Sequence, residues 1–170
     1  MKPLLVTDLA YQKHDTGYGH PEQPGRIQAV LKALDQANLS EEFRKLDPRP
    51  CQDEDLLRCH TKQYLASAKE DVAAGATNLR TGDTAISKAS LEVAQLAAGG
   101  VLVAIDEVLA GKAPSAFCVS RPPGHHATPD KGMGFCLFNN VAIAARYAQQ
   151  QHKVGKVLIV DWDVHHGNGT

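Results

Sequence analysis

Ala116-Phe-Cys-Val119 and Val157-Leu-Ile-Val160 are short, continuous apolar runs in the second half of the chain. Runs of this kind are typical of strands that are buried on both faces. Between them, Asn139 or Asn140 can cap a helix that Gly155 ends. A strand, a helix and a second strand in this order predict a right-handed crossover in a parallel sheet. This half of the chain therefore indicates the α/β class.

The first half adds one strand candidate and several helix candidates. The strand candidate runs from Pro3 to Val6. The clearest helix signal is the repeat of Ile27, Val30, Leu31 and Leu34, which have the spacing of one helical face. Further helices are predicted from Asp53 onward, over residues 61–73 and over residues 87–109, where the pair Gly99-Gly100 suggests close packing against a neighbour. We expect a parallel sheet flanked by helices.

The composition limits the functional classes. Apolar residues make up 43% of the 170 residues and charged residues 22%, so the chain can bury a core of its own. Its 18 Lys and Arg residues balance 19 Asp and Glu residues, which leaves no electrostatic footprint for nucleic acid. No apolar run reaches the roughly 18 residues of a membrane span, and the N-terminal run ends at Val6, too soon for a signal peptide. We expect a cytoplasmic protein that binds neither nucleic acid nor membranes.

The cysteines are not expected to form disulfides or a cysteine zinc cluster. Cys51, Cys59, Cys118 and Cys136 show no C-x-x-C spacing, and the chain carries no export signal. Cys118 and Cys136 lie among apolar residues, so we interpret them as small buried hydrophobic residues.

Ionisable residues follow the second apolar run in the stretch Asp161-Trp-Asp-Val-His-His-Gly-Asn-Gly-Thr170. In an extended chain alternate side chains share a face, so Asp161, Asp163 and His165 point the same way. A carboxylate and an imidazole suit Zn²⁺, and Fe²⁺ or Mn²⁺ accept the same donors. We predict that Asp163 and His165 bind one metal ion. The alternative is that these residues only cap turns and form ordinary hydrogen bonds.

The first apolar run leads to Gly124-His125-His126 at the same edge of the predicted sheet. Adjacent histidines on an irregular loop face different ways. We therefore interpret them as proton-transfer groups, one of them paired with Asp161, although such pairs also occur in ordinary surface loops. Farther along, Gly134 permits a close backbone approach and Phe135 can wall an apolar channel.

Three stretches closely resemble the zinc-dependent histone deacetylase family, which includes bacterial histone deacetylase-like amidohydrolases and acetylpolyamine amidohydrolases. They are Arg121-Pro-Pro-Gly-His-His-Ala127, Gly134-Phe-Cys-Leu-Phe-Asn-Asn140 and the stretch from Asp161 to Thr170. The resemblance extends to His20-Pro-Glu-Gln-Pro-Gly-Arg26, His60 with Tyr64, and Asp83-Thr84, so it covers nearly the whole chain. The asparagine at position 168 resembles the class II branch of the family, since the class I branch has an aspartate at that place. The resemblance implies the arginase/deacetylase-like three-layer α/β fold.

The resemblance also implies a role for each matching residue. Two residues match two of the family's three zinc ligands: Asp163 and His165. Four residues match the family's catalytic group: His125, His126, Asp161 and Asn168. In that match Asp161 orients His125, and Asn168 is the partner of His126. Four residues match substrate-binding positions. Gly134 and Phe135 match the substrate channel, Asp83 matches the aspartate at its rim, and Arg26 matches the arginine that lines the internal acetate exit. The implied cofactors are Zn²⁺ and a monovalent cation such as K⁺ near Asp161, Asp163 and His165.

Two elements of the family pattern have no match in this sequence. The third zinc ligand, an aspartate, and the transition-state tyrosine lie in the part of the pattern that follows Thr170. We therefore expect residues 1–170 to be the N-terminal portion of such a domain, incomplete at the C-terminus, or a truncated relative. In either case we expect an incomplete site and little activity alone.

The implied reaction is zinc-dependent hydrolysis of the acetamide of acetyl-lysine or a related acetylated amine, with release of acetate. One alternative is a catalytically inactive module that binds a metal or acyl-lysine. The other is a manganese ureohydrolase-type enzyme, which is disfavoured because its final element resembles Asp-x-His-x-Asp, whereas here His166-Gly167 follow His165. The sequence leaves open whether the substrate is a protein lysine or a polyamine, and it is compatible with a homo-oligomer.

Overall fold

Three short parallel strands form the sheet in the order β2-β1-β3. The structure is a computed structural model that describes residues 1–170. The central strand β1 (Leu4–Val6) pairs with β2 (Arg44–Leu46) on one side and β3 (Ala116–Cys118) on the other. The helices are α1 (Gly25–Gln36), α2 (Asp53–Leu56), α3 (Lys62–Ala73), α4 (Ser90–Leu109) and α5 (Asn140–Gln151). None of these helices has both the length and the hydropathy of a membrane span. The predicted α/β class, with helices flanking a parallel sheet, is confirmed.

Polar side chains define where the helices begin. Asn139 accepts a hydrogen bond from the amide of Ala142 at 3.1 Å, which satisfies a free amide in the first turn of α5. The prediction of an asparagine cap is confirmed, with Asn139 in that position. The prediction that Ser87 caps helix α4 is wrong: the helix begins at Ser90, and the Ser87 amide donates to the Ser90 hydroxyl at 2.7 Å.

Helix α4 lies between the sheet and the other long helices. Its buried residues belong both to the core under β1 and β3 and to the core formed with α3 and α5. A Cβ atom on Gly99 would lie 1.8 Å from the carbonyl oxygen of Arg49, so only glycine permits this approach. The close packing predicted from Gly99-Gly100 is confirmed.

The prediction of a strand over Val157–Val160 is wrong. This segment joins no sheet, and its backbone donates no hydrogen bond to β3. Leu158 and Val160 are 86% and 69% exposed, whereas Ile159 on the opposite face is 37% exposed. A continuous apolar strand is stable when both faces are covered and its ladder is closed, and no part of this chain covers the outer face. The expected crossover unit therefore ends in an extended segment without a ladder.

Strand β2 was not predicted from the sequence. Its residues, Arg44-Lys45-Leu46, show neither an apolar run nor alternation, and two of them are exposed. Charged side chains are common on edge strands, where they discourage pairing with other chains. Its pairing with β1, rather than its own composition, makes this segment a strand.

The cysteines are all free thiols. Cys136 is fully buried, and burial raises the pKa of its thiol to about 12; it raises that of Cys118, which is partly buried, to about 11. Both thiols are therefore protonated at neutral pH, in agreement with their interpretation as hydrophobic residues.

A buried ion pair fixes the loop that precedes α1. Arg121 donates to both carboxylate oxygens of Glu22, at 2.5 and 2.6 Å, and to the carbonyl oxygens of Tyr11 and His14 at 2.9 and 3.0 Å. A buried charge requires such pairing and hydrogen bonding. Because Arg121 begins the loop that leads to the two histidines, this network anchors one end of that loop in the core.

His14 is fully buried beside this ion pair. Its Nδ1 hydrogen-bonds to the hydroxyl of Ser90 at 2.7 Å, whereas its Nε2 has no hydrogen-bond partner and lies 3.6 Å from Glu22 Oε2. Burial lowers the pKa of His14 to about 4, and the attraction of Glu22 offsets only part of this effect. His14 is therefore neutral in the folded protein at neutral pH.

We expect the free energy of unfolding to fall by about 3 kcal/mol from His14 alone as the pH is lowered from above 6.5 to below 4. The sign follows because the unfolded chain binds a proton on His14 below pH 6.5, whereas the folded chain binds it only near pH 4. Urea unfolding of wild type and His14→Gln over this range measures the difference. The control is His152→Gln, a partly exposed histidine. An unchanged pH dependence in His14→Gln would contradict this assignment.

Candidate active site

His125 and His126 lie side by side in the loop that follows β3, with ring centroids 4.1 Å apart. Nδ1 of His125 donates to Asp161 Oδ2 at 2.9 Å, and Nδ1 of His126 donates to Asn168 Oδ1 at 2.6 Å. Because a carboxylate and an amide oxygen can only accept, both rings carry a proton on Nδ1. Their Nε2 atoms are therefore the positions that can exchange a proton.

Backbone and side-chain contacts hold residues 161–170 against residues 121–139, the loop between β3 and α5 that is called the histidine loop below. The amide of Gly169 donates to the carbonyl oxygen of His125 at 2.9 Å. The side-chain amide of Asn139 donates to the hydroxyl of Thr170 at 3.2 Å and to the carbonyl oxygen of Ala127 at 3.3 Å. The two chain segments that carry the candidate residues are thus joined at several points.

Two glycines make this close approach sterically feasible. A Cβ atom on Gly167 would lie 2.3 Å from Asp161 Oδ2 and 3.2 Å from His125 Nδ1. A Cβ atom on Gly169 would lie 2.2 Å from the carbonyl oxygen of Ala127. Any side chain at either position would displace the hydrogen-bonded groups.

Asp163 and His165, the candidate metal ligands, contact each other beside the histidine pair. Asp163 Oδ1 accepts from the amide of His165 at 2.8 Å and lies 3.1 Å from His165 Nδ1. The His165 ring centroid is 6.2 Å from that of His126, and the side chains of Asp163 and His165 are 50% and 73% exposed. No group of three His, Cys, Asp or Glu residues in the chain is arranged to hold a metal ion. The chain therefore presents two neighbouring donors.

Hydrogen bonds favour the charged form of both carboxylates in this segment. The hydrogen bond from His125 lowers the pKa of Asp161, with a smaller effect from the amide of Asp163. The hydrogen bonds from the amide and ring of His165 lower the pKa of Asp163. Asp161 is thus an anionic partner for His125, and Asp163 is an anionic donor.

Gly134 and Phe135 form a wall next to His126. Both have a left-handed backbone, with φ of 56° and 66°. A Cβ atom on Gly134 would lie 2.4 Å from His126 Cδ2, so only glycine fits there. Phe135 carries a side chain in this strained conformation, and its ring packs edge-on against His20 at a centroid distance of 4.5 Å.

Asp83 and Arg26 lie in different places. Asp83 Oδ1 accepts from the amide of Gly134 at 2.8 Å, so this carboxylate is attached to the wall beside His126. Arg26 is exposed in the first turn of α1 and lines a cavity of about 470 Å³ next to Arg121. It does not line the separate cavity, of about 510 Å³, that contains His125, Asp161 and Asp163. The structure thus places Asp83 beside the wall next to His126, and Arg26 outside the cavity lined by His125, Asp161 and Asp163.

Sequence reasoning assigned Asn139 only the role of a helix cap. In the structure its side chain caps α5 and also contacts both segments of the candidate site. Gly167 and Gly169 were likewise given no role. The available signal was the Gly-Asn-Gly pattern at residues 167–169, since glycines around a polar residue often mark a close approach between two stretches of backbone.

Comparison with known proteins identifies relatives of the chain. Residues 20–170 match the histone deacetylase domain model. The chain is 45% identical over 152 residues to the histone deacetylase-like amidohydrolase of Pseudomonas aeruginosa, and the aligned region covers 89% of this chain and 40% of that protein. It is 37% identical over 153 residues to the polyamine deacetylase HDAC10 of Homo sapiens, over 87% of this chain and 23% of that protein. The crystal structure of the HDA15 HD domain matches with a TM-score of 0.91 at 32% identity, over 99% of this chain and 49% of that chain. The chain thus spans less than half the length of these three proteins.

Replacement of Gly167 by alanine tests the contact between His125 and Asp161. In Gly167→Ala we expect the Nδ1 proton of His125 to exchange with water roughly tenfold faster or more, because a lost hydrogen bond of about 1.5 kcal/mol changes an opening equilibrium by that factor. Proton NMR of the imidazole N–H signals measures this rate. Gly155→Ala is the matched control, since a Cβ atom there meets nothing within 4 Å. Equal rates in the two variants would contradict the described contact.

Proposed function

The chain belongs to the histone deacetylase domain family, and from this premise we propose that its residues serve a zinc-dependent hydrolase that cleaves the acetamide of acetyl-lysine or a related acetylated amine. The observation that carries the proposal is the pair of adjacent histidines, each fixed through Nδ1 to a different acceptor. Such an arrangement leaves Nε2 of each ring without a hydrogen-bond partner in the chain, as expected for proton transfer in amide hydrolysis.

The donor chemistry of Asp163 and His165 fits zinc, but only in part. A carboxylate oxygen and an imidazole nitrogen are both zinc donors, and the exposure of these two side chains leaves them accessible to an ion. A catalytic zinc site in proteins has three protein donors, and this chain presents two. Zinc, when bound, supplies Lewis-acid polarisation of a carbonyl group and a lowered pKa for water. Three expectations stay predictions from the sequence: the binding of a monovalent cation, the extent of the domain over residues 1–170, and a cytoplasmic location.

We assign proton transfer to His126. Because Asn168 holds its Nδ1–H, the lone pair on Nε2 is the basic position. Nε2 takes a proton from the attacking water and later gives it to the leaving nitrogen as the amide C–N bond breaks. The water oxygen forms the new C–O bond, so the products are acetate and a free amine.

His125 has a different assignment because its partner is a carboxylate. Asp161 carries a negative charge, because the hydrogen bond from His125 lowers the pKa of this carboxyl group, and its Oδ2 holds His125 Nδ1 at 2.9 Å. We assign His125 to provide a fixed positive field beside the reacting carbonyl oxygen. The two histidines thus have distinct functions because one acceptor is charged and the other is neutral.

The wall beside His126 supports an extended, apolar substrate arm. Phe135 provides an aromatic surface, and its neighbour Gly134 allows the chain to approach His126 closely. An acetylated aliphatic amine has an apolar chain that ends in a small amide, which suits this surface. One relative is named as a polyamine deacetylase and another as a histone deacetylase-like amidohydrolase, so we propose acetylated polyamines and acetyl-lysine as the two substrate classes to compare.

Acetate release tests the proposed reaction directly. In a form of the protein with all three metal donors, we expect hydrolysis of an acetyl-lysine peptide or an acetylated polyamine. His126→Ala should lower kcat by roughly a hundredfold or more, because it removes proton transfer. Lys153→Ala, a surface variant, is the control. Binding of the acetylated peptide without acetate release would instead support the acyl-lysine-binding alternative.

Zinc affinity tests the two donors separately from activity. For the 170-residue chain, calorimetric titration with ZnCl₂ should give weak binding that falls by roughly tenfold or more in Asp163→Ala and His165→Ala, since even indirect support of a ligand is worth that much. His126→Ala should retain binding. His166→Ala is the matched control, because His166 is the adjacent exposed histidine. Equal losses in His165→Ala and His166→Ala would show that the donor assignment is wrong.

A further inference from the structure

His60 lies in the core between α2 and α3, far along the chain from the candidate site, and is only 4% exposed. Its ring packs against Tyr64 and Phe138, with centroid distances of 5.5 and 5.4 Å. Burial lowers its pKa, so the ring is neutral at neutral pH. A neutral imidazole has one donor nitrogen and one acceptor nitrogen, and both must be satisfied in a buried position.

Both nitrogens of His60 bind the backbone of a single loop. Nδ1 lies 2.9 Å from the carbonyl oxygen of Thr128, and Nε2 lies 3.0 Å from the amide of Asn139. A carbonyl oxygen accepts and a backbone amide donates, so Nδ1 carries the proton and Nε2 is the acceptor. One side chain therefore connects the backbone at Thr128 to the backbone at Asn139. The residues between these two positions include the Gly134-Phe135 wall.

Asn139 extends this connection to the histidines. Its side chain donates to the carbonyl oxygen of Ala127, the residue after His126, and to the hydroxyl of Thr170. It also accepts from the first turn of α5. The position of the Asn139 backbone is thus coupled to both segments that meet at His126. The Asn139 backbone amide donates to a single side-chain atom, Nε2 of His60.

We propose that His60 is a positioning residue that holds His126 in its catalytic orientation through the Asn139 amide. This inference deepens the proposed function and rests on it for its kinetic consequence. The bond to Asn139, rather than the bond to Thr128, carries the effect, because only Asn139 contacts both chain segments of the site. His60 itself forms no hydrogen bond or ring contact with the histidine pair or the metal donors.

Two replacements separate the two hydrogen bonds of His60. In His60→Gln the side-chain oxygen can occupy the place of Nε2 and still accept from the Asn139 amide. In His60→Asn the side-chain nitrogen can occupy the place of Nδ1 and still donate to Thr128, but nothing accepts from Asn139. Tyr64→Phe is the matched control, because it removes a buried 2.6 Å hydrogen bond from the Tyr64 hydroxyl to the carbonyl oxygen of Leu137, in the same loop.

NMR of the 170-residue chain provides a readout that does not depend on activity. We expect the Asn139 amide and the Nδ1 proton of His126 to exchange slowly in wild type, His60→Gln and Tyr64→Phe. Both should exchange at least about tenfold faster in His60→Asn, at matched free energy of unfolding, if the bond is worth about 1.5 kcal/mol. The same slow exchange in His60→Asn, or faster exchange of the His126 proton in Tyr64→Phe, would overturn the inference.

Kinetics separate this inference from the proposed reaction. In an active form of the protein, His60→Asn should lower kcat by roughly ten- to a hundredfold with KM changed little, because misplacement of a catalytic group affects the chemical step. His60→Gln should restore most of kcat. Unchanged kcat in His60→Asn would overturn the positioning role. If the wild-type protein releases no acetate while the NMR differences are present, the proposed function fails and the structural link from His60 to His126 stands.

Discussion

The candidate site depends on the hydrogen-bonded contact between residues 161–170 and the histidine loop. The preceding segment, Val157–Val160, belongs to no sheet and leaves most of its apolar surface exposed. Neither a ladder nor a core therefore fixes the position of Asp161 and the residues after it. Five hydrogen bonds hold this stretch: Gly169 to His125, His125 to Asp161, His126 to Asn168, Asn139 to Thr170, and the weaker bond from the Asn168 side-chain amide to the Met133 sulfur. Without them, the two donors and the partners of both histidines would be separated from the rings.

The two sides of this contact differ in how firmly they are held. The histidine loop is anchored at one end by the buried pair of Arg121 and Glu22 and at the other by His60. Buried hydrogen bonds strengthen one another and are costly to break, so this side is preorganised. Residues 161–170 contribute mainly surface hydrogen bonds, each worth about 1 kcal/mol, and Trp162 is almost fully exposed. Loss of order is therefore expected first on the side that carries the two metal donors.

Features that depend on neighbours in the sequence could be predicted, and features that depend on distant partners could not. Helix α1, the Asn139 cap and the packing at Gly99 follow from local spacing and local chemistry. The strand expected over Val157–Val160 failed because an apolar run becomes a strand only beside a partner. Alternation predicted that Asp163 and His165 share a face, and the two side chains do contact each other, within a turn in which Asp163 also accepts from the His165 amide. That the two residues bind a metal ion stays a prediction. The link from His60 to Asn139 spans 79 positions, and no local pattern encodes it.

Hydrogen exchange at the Gly169 amide tests the central contact most directly. This amide donates to the carbonyl oxygen of His125, whereas the amide of Trp162, in the same exposed segment, donates to no group in the chain. If residues 161–170 are held against the histidine loop as described, Gly169 exchanges at least about tenfold more slowly than Trp162 after correction for intrinsic rates. Equal corrected rates at the two amides would mean that this segment is not docked, and the candidate site would not exist in the isolated chain.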